Sequence, residues 1–324
     1  MIYYDRIYGK IEIKESVILE LIKSPSLQRL KGIDQAGYFK ARQCYSRFEH
    51  SLGVFTLLKK YQVSLGEQVA GLIHDVSHGV FSHCLDYALN EGSERDHSHQ
   101  DNIFEEFVKQ TKIPSILKKY KLDVDYILNE ENFPLKERPL PDLCADRIDY
   151  MLRTAFIFKE IDQELVNYFL ANLSTEKNCW IFKNLESAKG FAKLFFKMNN
   201  VYFAGFPSAV MFRTVGDLLR YALEKGYLSE DDLYTTDKEV LEKIKENLES
   251  DQRLKFLWER MNNKIKFKNN PKNYNAHVFC KSRVVDPLFK TKGKIRRLSK
   301  VDQNWAKIVK EESRPKEYFI KFER

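Results

Sequence analysis

Long apolar runs are missing from the sequence. No stretch approaches the roughly 20 apolar residues that a membrane-spanning helix needs, and the first six residues, MIYYDR, do not place a basic region before an apolar one as a secretory signal does. Glycine and proline are scarce, at 13 and 9 among 324 residues, which excludes collagen-like and low-complexity chains. The sequence therefore predicts a soluble, folded, cytoplasmic protein with no membrane partner.

The cysteines are too few and too widely spaced to indicate a disulfide framework or a zinc site. The five cysteines are odd in number and include no CxxC pair, so neither a disulfide scaffold nor a zinc ribbon is indicated. Reduced intracellular thiols are predicted at Cys44, Cys84, Cys144, Cys179 and Cys280.

Neither positively nor negatively charged residues are in strong excess. The chain has 54 Lys and Arg against 46 Asp and Glu, a net charge of +8, with the two signs interspersed. This balance is compatible with polyanionic partners such as nucleotides or nucleic acid, and equally with an ordinary solvated helical surface. With 43% hydrophobic residues, the chain is able to build a large core.

Helical periodicity dominates what is present, so we predict a mainly α fold. Apolar residues recur at helical spacing in residues 50–63, 67–76, 100–110, 142–158 and 160–226, and two more helices are predicted between 230 and 263. Residues 1–226 are predicted to form a helical core that begins with a short β element around residues 11–13. The prolines between residues 129 and 141 predict an exposed loop.

The chain changes character after residue 263. Residues 278–280 and 284–285 are β-prone and flanked by basic residues, and the tail from residue 290 alternates short apolar pairs with lysine and arginine. We therefore predict that residues 227–324 form a helical and α+β extension packed on the core.

Histidine is concentrated in one part of the chain. Six of the 7 histidines lie between residues 50 and 99, and the pair His74-Asp75 follows the apolar stretch AGLI. A partly buried carboxylate needs a compensating cation, and imidazole with carboxylate forms a mixed site for Mn, Fe, Ni, Zn or Mg. A second carboxylate is available from Asp146 or Asp149, which share one helix face. The alternative is a set of hydrogen-bonded histidines in a helical core.

These motifs resemble those of the HD-domain metal-dependent phosphohydrolases, whose signature is a histidine, then a histidine-aspartate pair, then a distant aspartate. The resemblance is carried by YGKIEI at residues 8–13, SPSLQRL at 24–30, RFEHSLG at 47–53, HDVSHGVFSH at 74–83, DRIDY at 146–150 and, more weakly, KSRVVDP at 281–287. It is closest to the deoxynucleoside triphosphate triphosphohydrolase branch, which includes the SAM-and-HD-domain enzymes. It covers most of residues 1–160 and fades after about residue 225.

The resemblance implies a divalent metal ion and a role for each matching residue. The implied metal ligands are His50, His74, Asp75 and Asp146, with Asp149 as a structural carboxylate. The implied catalytic and phosphate-facing residues are His78, His83, Asp86 and His99. The implied substrate contacts are Arg47 and Arg147 to phosphate, and Gln35 and Tyr150 to the sugar. The family also implies a homo-oligomer.

Three departures from the family pattern leave the substrate open. Arg147 replaces a lysine and Gln100 replaces an acid, while Thr154 stands where the branch has the aspartate that binds the sugar 3′-hydroxyl. The leading hypothesis is hydrolysis of a deoxynucleoside triphosphate (dNTP) to deoxynucleoside and triphosphate. One alternative is a nucleotide monophosphatase or a cyclic-nucleotide or oligonucleotide phosphodiesterase. Another is a nucleic-acid-binding HD module that uses the basic tail at residues 290–297.

Overall fold

The computed structural model of the protein describes residues 1–38, 45–89 and 95–323, so Cys44 lies outside the described residues. Helices make up most of these ranges, which confirms the predicted mainly α fold. The helices are α1 Ser16–Lys23, α2 Pro25–Arg29, α3 Arg47–Lys60, α4 Leu65–Ile73, α5 His99–Lys109, α6 Ile113–Lys119, α7 Val124–Leu128, α8 Ala145–Ile157, α9 Gln163–Asn172, α10 Leu185–Met198, α11 Phe206–Glu224, α12 Asp237–Glu246, α13 Gln252–Met261 and α14 Gln303–Glu312. A 3-10 turn at Ser82–Tyr87 and a π-helical turn at Asn199–Phe203 connect some of them.

The strands form small sheets at the two ends of the chain and beside the core. They are β1 Ile2–Asp5, β2 Gly9–Glu12, β3 Leu173–Glu176, β4 Cys179–Phe182, β5 Phe267–Asn269, β6 Ala276–Cys280, β7 Leu288–Thr291, β8 Lys294–Arg297 and β9 Lys316–Phe322. β1 and β2 form the predicted amino-terminal β element as an antiparallel hairpin. The other sheets have the orders β3-β4-β7-β8 and β5-β9-β6.

One of these sheets joins the amino-terminal and carboxy-terminal parts of the chain. β4 pairs in parallel with β7, through Ile181 with Leu288 and Phe182 with Phe289. The prediction of continuous helix from residue 160 to residue 205 is wrong, because the chain forms strands β3 and β4 within this range. The 226/227 boundary stays a prediction, although residues on both sides of it share an apolar core that includes Leu219, Leu254 and Val278.

α3 is the central helix of the amino-terminal half. Ser46 begins it, because its hydroxyl accepts a hydrogen bond from the backbone N–H of Glu49 at 3.3 Å. Ten of its 14 residues are buried, on all faces, so it is enclosed by other elements. α4 crosses it closely, since a Cβ on Gly71 would meet Leu58 Cδ1 at 2.5 Å. The end of α4 lies next to the first turn of α3, where the rings of His50 and His74 are 5.1 Å apart.

The segment between α7 and α8 is packed on the protein, which makes the prediction of an exposed loop wrong. Phe133 and Leu135 are buried in separate apolar clusters. The buried Glu67 carboxylate accepts hydrogen bonds from the backbone N–H groups of Leu135 and Lys136 at 2.6 and 2.8 Å. The prolines break the helix as predicted, but apolar side chains between them hold the loop against α4.

Candidate metal centre

The ends of three helices converge on one point of the core. His50 lies in the first turn of α3, His74 and Asp75 follow the last residue of α4, and Asp146 lies in the first turn of α8. The structure therefore brings the four predicted ligands together although they are up to 96 positions apart.

Their ligand atoms lie within a few ångströms of one another. Nε2 of His50 is 2.8 Å from Asp146 Oδ1 and 3.9 Å from Asp75 Oδ2. Nε2 of His74 is 3.4 Å from Asp75 Oδ1 and 3.4 Å from Asp146 Oδ1. One ligand atom from each of His50, His74 and Asp146 lies within 4.8 Å of the others, close enough for these residues to hold a metal ion.

Hydrogen bonds on the far side of each imidazole determine which nitrogen faces this cluster. Nδ1 of His74 donates to the carbonyl of Gly71 at 2.8 Å, and Nδ1 of His50 donates to Asp149 Oδ2 at 2.7 Å. Each Nε2 then faces the cluster. His50 Nε2 is hydrogen-bonded to Asp146 at 2.8 Å, and loss of its proton gives the lone pair that metal-binding histidines use. Nε2 of His74 is buried and has no hydrogen-bond partner among the described residues, so the donor set fits a divalent cation.

The two carboxylates of the cluster are held in the charged form. Burial opposes the charge, but the hydrogen bond with His50 Nε2 and the nearby imidazole of His74 hold the pKa of Asp146 well below its usual range. Burial likewise opposes ionisation of Asp75, and the positive charge of Arg47 is the largest effect that lowers its pKa. Ionised carboxylates are the form that binds a metal.

A buried ion-pair network lies behind His50. The Arg153 guanidinium donates to both Asp149 oxygens at 3.0 and 2.8 Å, to Asp5 at 2.9 Å and to Glu49 at 3.0 Å. The side chains of Arg153, Asp149 and Asp5 are 0% exposed. A Cβ at Gly53 would lie 2.2 Å from both Arg153 and Asp149, so only glycine fits there. Asp149 thus orients His50, in agreement with its implied structural role.

Arg47 is buried beside Asp75. Its Nη1 donates to Asp75 Oδ2 at 2.7 Å and its Nε donates to the Ser82 hydroxyl at 2.7 Å. Its Nη2 is buried and has no partner among the described residues. The side chain therefore orients a predicted metal ligand and keeps one donor available, while its contact with phosphate stays a prediction.

His78, His83 and Asp86 continue from the cluster as a row. Nε2 of His78 lies 3.4 Å from Asp75 Oδ1, and the rings of His78 and His83 are 5.1 Å apart. Nδ1 of His83 is 3.4 Å from Asp86 Oδ2. Burial, and then the charge of Arg47, lower the pKa of both imidazoles well below the usual value. Burial raises the pKa of Asp86 to about 6. The catalytic roles of these residues stay predictions.

The structure places the ring of His97 beside this row, whereas the predicted His99 contacts the row through its backbone N–H, which donates to Asp86 Oδ1 at 3.0 Å. The ring of His97 is 4.8 Å from that of His83, and its Nε2 lies 3.0 Å from the Tyr87 hydroxyl. Nε2 of His99 instead lies 3.0 Å from the hydroxyl of Tyr234. The two histidines are two positions apart in the sequence, and only the structure shows that the one whose ring packs against His83 is His97, with a backbone φ of 51°.

Arg147 is bound to the packed loop before α8. Its guanidinium donates to the carbonyls of Arg138 and Asp142 at 3.0 and 2.7 Å and to the carboxylate of Glu137 at 3.1 Å. These three hydrogen bonds hold the guanidinium on the loop, and its contact with phosphate stays a prediction. Glu137 Oε1 also accepts from the Cys144 thiol at 3.4 Å.

The predicted sugar contacts lie around Tyr45. The Tyr45 hydroxyl is 3.0 Å from the Thr154 hydroxyl and 3.4 Å from the Tyr150 carbonyl. The hydroxyl of Tyr150 and Oε1 of Gln35 are buried and have no hydrogen-bond partner among the described residues. Two of the predicted polar groups are thus available to a ligand, whereas Thr154 is bonded within the protein.

Asp237 at the start of α12 connects two segments that border Arg47. Its carboxylate accepts from the backbone N–H of Asp34 at 2.8 Å and from that of Phe81 at 2.7 Å. Burial nevertheless raises its pKa to about 7 from 3.8. The folded state then binds this proton more tightly than the unfolded state, so the contribution to stability falls as the pH rises from about 4 to about 7, by at most about 1.4 kcal/mol per pH unit.

Asp237→Asn is therefore expected to remove that pH dependence. Urea unfolding of both proteins at pH 5, 6, 7 and 8 should show the wild type losing free energy of unfolding relative to the variant at each step up to pH 7. If the free energies of unfolding of the two proteins differ by the same amount at every pH, Asp237 does not titrate in this window.

Comparison with known proteins identifies the family. The HD domain description matches residues 47–154. An uncharacterized protein of Bacillus subtilis, YdhJ, is 33% identical over 287 residues, which are 87% of this chain and 86% of YdhJ. The chain belongs to the HD-domain family. The predicted resemblance is confirmed, and with it the divalent metal ion as the cofactor of this HD protein.

Other HD proteins match over shorter or more distant stretches. The metal-dependent phosphohydrolase cns2 of Cordyceps militaris is 40% identical over 49% of this chain and 46% of its own. The mouse deoxynucleoside triphosphate triphosphohydrolase SAMHD1 is 31% identical over 37% of this chain and 22% of its own. The crystal structure of a phosphohydrolase from Bacteroides thetaiotaomicron shares the fold over the whole of both chains, with a TM-score of 0.75 and 18% identity. No helix of the described residues is long and apolar enough to cross a membrane.

Proposed function

We propose that this HD protein hydrolyses a phosphoester of a nucleotide, and that the leading reaction converts a dNTP to deoxynucleoside and triphosphate. The observation that carries the proposal is the cluster of His50, His74, Asp75 and Asp146, in which each imidazole presents Nε2 and each carboxylate is ionised. Two imidazoles with two carboxylates suit a divalent transition metal and leave coordination positions for water and substrate.

These four residues would hold the metal ion, which when bound supplies an activated water and polarises a phosphoryl oxygen. The residues of this chain provide the rest of the environment. Arg47 keeps Asp75 ionised and oriented through its 2.7 Å hydrogen bond, and its unpartnered Nη2 is available to a phosphate oxygen. Asp149 fixes the ring plane of His50.

The row of His78, His83 and Asp86 supplies proton donors and acceptors next to the cluster. Since burial keeps both imidazoles neutral, each has one N–H donor and one acceptor nitrogen. A neutral imidazole is able to donate to a phosphate oxygen or to protonate a leaving alkoxide. We assign His83 as the proton donor to the leaving group in the tautomer that carries its proton on Nε2, with Asp86, whose pKa is raised to about 6, in its protonated form 3.4 Å from Nδ1. The leaving alkoxide then takes the Nε2 proton while Nδ1 takes the proton of Asp86, so the imidazole stays neutral.

The nucleotide class is supported by the unpartnered groups around Tyr45. The buried Tyr150 hydroxyl and Gln35 Oε1 lack hydrogen-bond partners among the described residues, which is costly unless a polar ligand satisfies them. Matches to SAMHD1 proteins favour a deoxynucleotide for that ligand.

A second candidate is a nucleotide monophosphatase or a cyclic-nucleotide or oligonucleotide phosphodiesterase. The observation that favours it is the bond between Thr154 and Tyr45, which occupies the position where a carboxylate would receive the sugar 3′-hydroxyl. Without that carboxylate the sugar is less constrained, so specificity for a deoxynucleoside triphosphate would depend on other contacts.

The two candidates differ in their products. Purified protein with Mn²⁺ would be incubated with separate pools of dNTPs, NTPs, nucleoside monophosphates, cyclic nucleotides and short oligonucleotides, and the products resolved by ion-pair chromatography. Deoxynucleoside together with intact triphosphate supports the leading reaction. Orthophosphate from monophosphates, or shortened oligonucleotides, would replace it with the second candidate.

The nucleic-acid-binding alternative depends on β7, β8 and the turn between them. Lys290 is paired with Glu176 at 2.8 Å and Arg297 with Asp142 at 2.6 Å. Lys292, Lys294 and Arg296 form no ion pair with the described residues, which is the observation that favours this alternative.

If those three cations contact a single-stranded oligonucleotide, its affinity should fall roughly 20-fold between 50 and 200 mM salt. Fluorescence anisotropy would measure this, with a variant that carries glutamine at all three positions as the control. Absent binding, or binding that ignores salt and the triple substitution, would remove the alternative.

A further inference from the structure

The segment between β6 and β7 carries two cations on one side. Residues 281–287 have no helix or strand, yet burial alternates over residues 281–284 as in an extended chain, with Ser282 and Val284 buried and Lys281 and Arg283 partly exposed. Alternate side chains of an extended backbone point to the same side. Lys281 and Arg283 therefore project together, away from the core that holds Ser282 and Val284.

Buried polar contacts hold this segment in place. The Asn199 side chain donates to the Ser282 hydroxyl at 3.0 Å and accepts from the backbone N–H of Arg283 at 2.9 Å. The Ser282 hydroxyl donates to Glu312 at 3.0 Å. The Arg283 guanidinium donates to the backbone carbonyl of Lys281 at 3.2 Å, which holds the Arg283 side chain close to the backbone of Lys281. A cation pair that is fixed before a ligand arrives loses little entropy on binding.

Hydrogen bonds place the start of this segment beside the row of catalytic candidates. The Tyr87 hydroxyl, 3.0 Å from His97 Nε2, donates to the carbonyl of Phe279 at 2.6 Å, two positions before the first of the two cations. The positive charge of the two cations acts on His83, His97 and Asp86, and that of Arg283 also acts on the hydroxyl of Tyr150. These interactions connect the segment to both ends of the candidate site, the proton-transfer row and the sugar contact. The segment thus borders the site although it lies nearly 200 positions from His83 in sequence.

Within the part of the chain that the structure describes, this pair has no anionic partner. Neither Lys281 nor Arg283 forms an ion pair within 4.0 Å among the described residues. Burial, and then the charge of Arg283, lower the pKa of Lys281, while the more distant carboxylates of Asp101 and Glu137 act in the opposite direction. Two adjacent half-buried cations without a counter-ion need an anionic ligand for full stabilisation.

We propose that Lys281 and Arg283 form a phosphate-binding arm that contacts the phosphate groups of a nucleotide beyond the one that reacts. The inference rests on the proposed function and extends it, because such an arm makes the protein selective for a polyphosphate chain over a single phosphate. Arg283 offers a planar set of N–H donors and Lys281 a point charge, a combination that matches neighbouring phosphates of one chain. Neither residue is part of the metal cluster.

The arm predicts that binding depends on the length of the phosphate chain. Isothermal titration calorimetry with inorganic triphosphate and with orthophosphate, in buffer that holds free Mg²⁺ constant, measures this without any hydrolysis. Lys281→Gln and Arg283→Gln should each weaken triphosphate binding roughly tenfold, since a hydrogen bond to a charged group is lost, and weaken orthophosphate binding much less. Arg283→Lys should restore part of the affinity, and Lys310→Gln on the exposed face of α14 is the matched control.

Two results would overturn the arm. Triphosphate affinity that is unchanged in both variants would show that the cations face no ligand, and an equal loss of orthophosphate affinity would show a general field effect in place of a contact with a chain. Tighter binding of an oligonucleotide than of triphosphate, lost in both variants, would also contradict it. The titration measures binding and not hydrolysis. If the protein binds triphosphate through these residues but hydrolyses no nucleotide, the proposed function is wrong and the phosphate-binding arm is still supported.

Discussion

Asp75→Asn is expected to abolish metal binding and phosphoester hydrolysis while the protein stays folded. Asp75 contributes one of the two ionised carboxylates of the cluster, at 3.4 Å from His74 and 3.9 Å from His50. An amide does not carry the charge that balances a divalent ion, and loss of the metal removes several kcal/mol of transition-state stabilisation, roughly a thousandfold or more in rate. Metal content by mass spectrometry and hydrolysis of bis(p-nitrophenyl) phosphate would measure both effects.

The choice of asparagine follows from Arg47. The buried guanidinium donates to Asp75 Oδ2, and alanine would leave it without a partner, at a cost of about 3–5 kcal/mol. Asparagine keeps a carbonyl oxygen for that hydrogen bond. We therefore expect Asp75→Ala to lose both stability and metal, and Asp75→Asn to lose mainly metal. Full hydrolysis by either variant would exclude this cluster as the active site.

Arg153→Met is expected to have the largest effect on stability. Its guanidinium is the common partner of Asp149, Asp5 and Glu49, and the first two of these side chains are fully buried. Removing the cation leaves two carboxylates in the core without their counter-charge, which costs about 3–5 kcal/mol of the free energy of unfolding. Urea unfolding monitored by circular dichroism would measure the loss, with Arg314→Met on the exposed surface as the control.

The same substitution should also weaken metal binding. Asp149 holds the ring of His50 at 2.7 Å and is itself held by Arg153. Loss of such an outer contact typically reduces metal affinity roughly 10- to 100-fold. A variant that is as stable as the wild type and binds metal equally well would show that the network does not support the cluster.

The metal cluster was predictable because its residues follow short-range chemical rules. A histidine-aspartate pair inside an apolar stretch needs a cation, and two acids three positions apart share a helix face, so spacing alone leads to His74, Asp75 and either Asp146 or Asp149. The hydrogen bond to His50 and the bidentate contact of Arg153 then separate the roles of the two acids. Only tertiary contacts provide that distinction.

Some elements of the fold could not be predicted from the sequence because they also depend on tertiary contacts. The hairpin β3–β4 lies between two amphipathic helices, and its turn at Lys177 and Asn178 has φ values of 52° and 57°, a conformation that asparagine favours and lysine does not. Its apolar strand WIF at residues 180–182 is stabilised by pairing with β7, more than 100 positions later. The periodicity of a short stretch of sequence carries no information about a pairing strand so far away in the chain.

The inward position of His97 and the cation pair at residues 281–283 also depend on distant contacts. His97 packs against Phe212 at a ring distance of 5.2 Å, and the hydroxyl of Tyr87 connects it with the carbonyl of Phe279. The motif that contains Lys281 and Arg283 is visible in the sequence, but its place beside His83 follows from the β6 strand that precedes it.

The central claim is that one divalent ion held by His50, His74, Asp75 and Asp146 carries the hydrolysis. The most direct test is a titration of Mn²⁺ into chelator-stripped protein, with bound metal counted by mass spectrometry and phosphoester hydrolysis followed in the same samples. If a single ion is sufficient, hydrolysis should rise in proportion to the first ion bound per chain and then reach a plateau. Hydrolysis by the metal-free protein, or hydrolysis that begins only after a second ion binds, would contradict it.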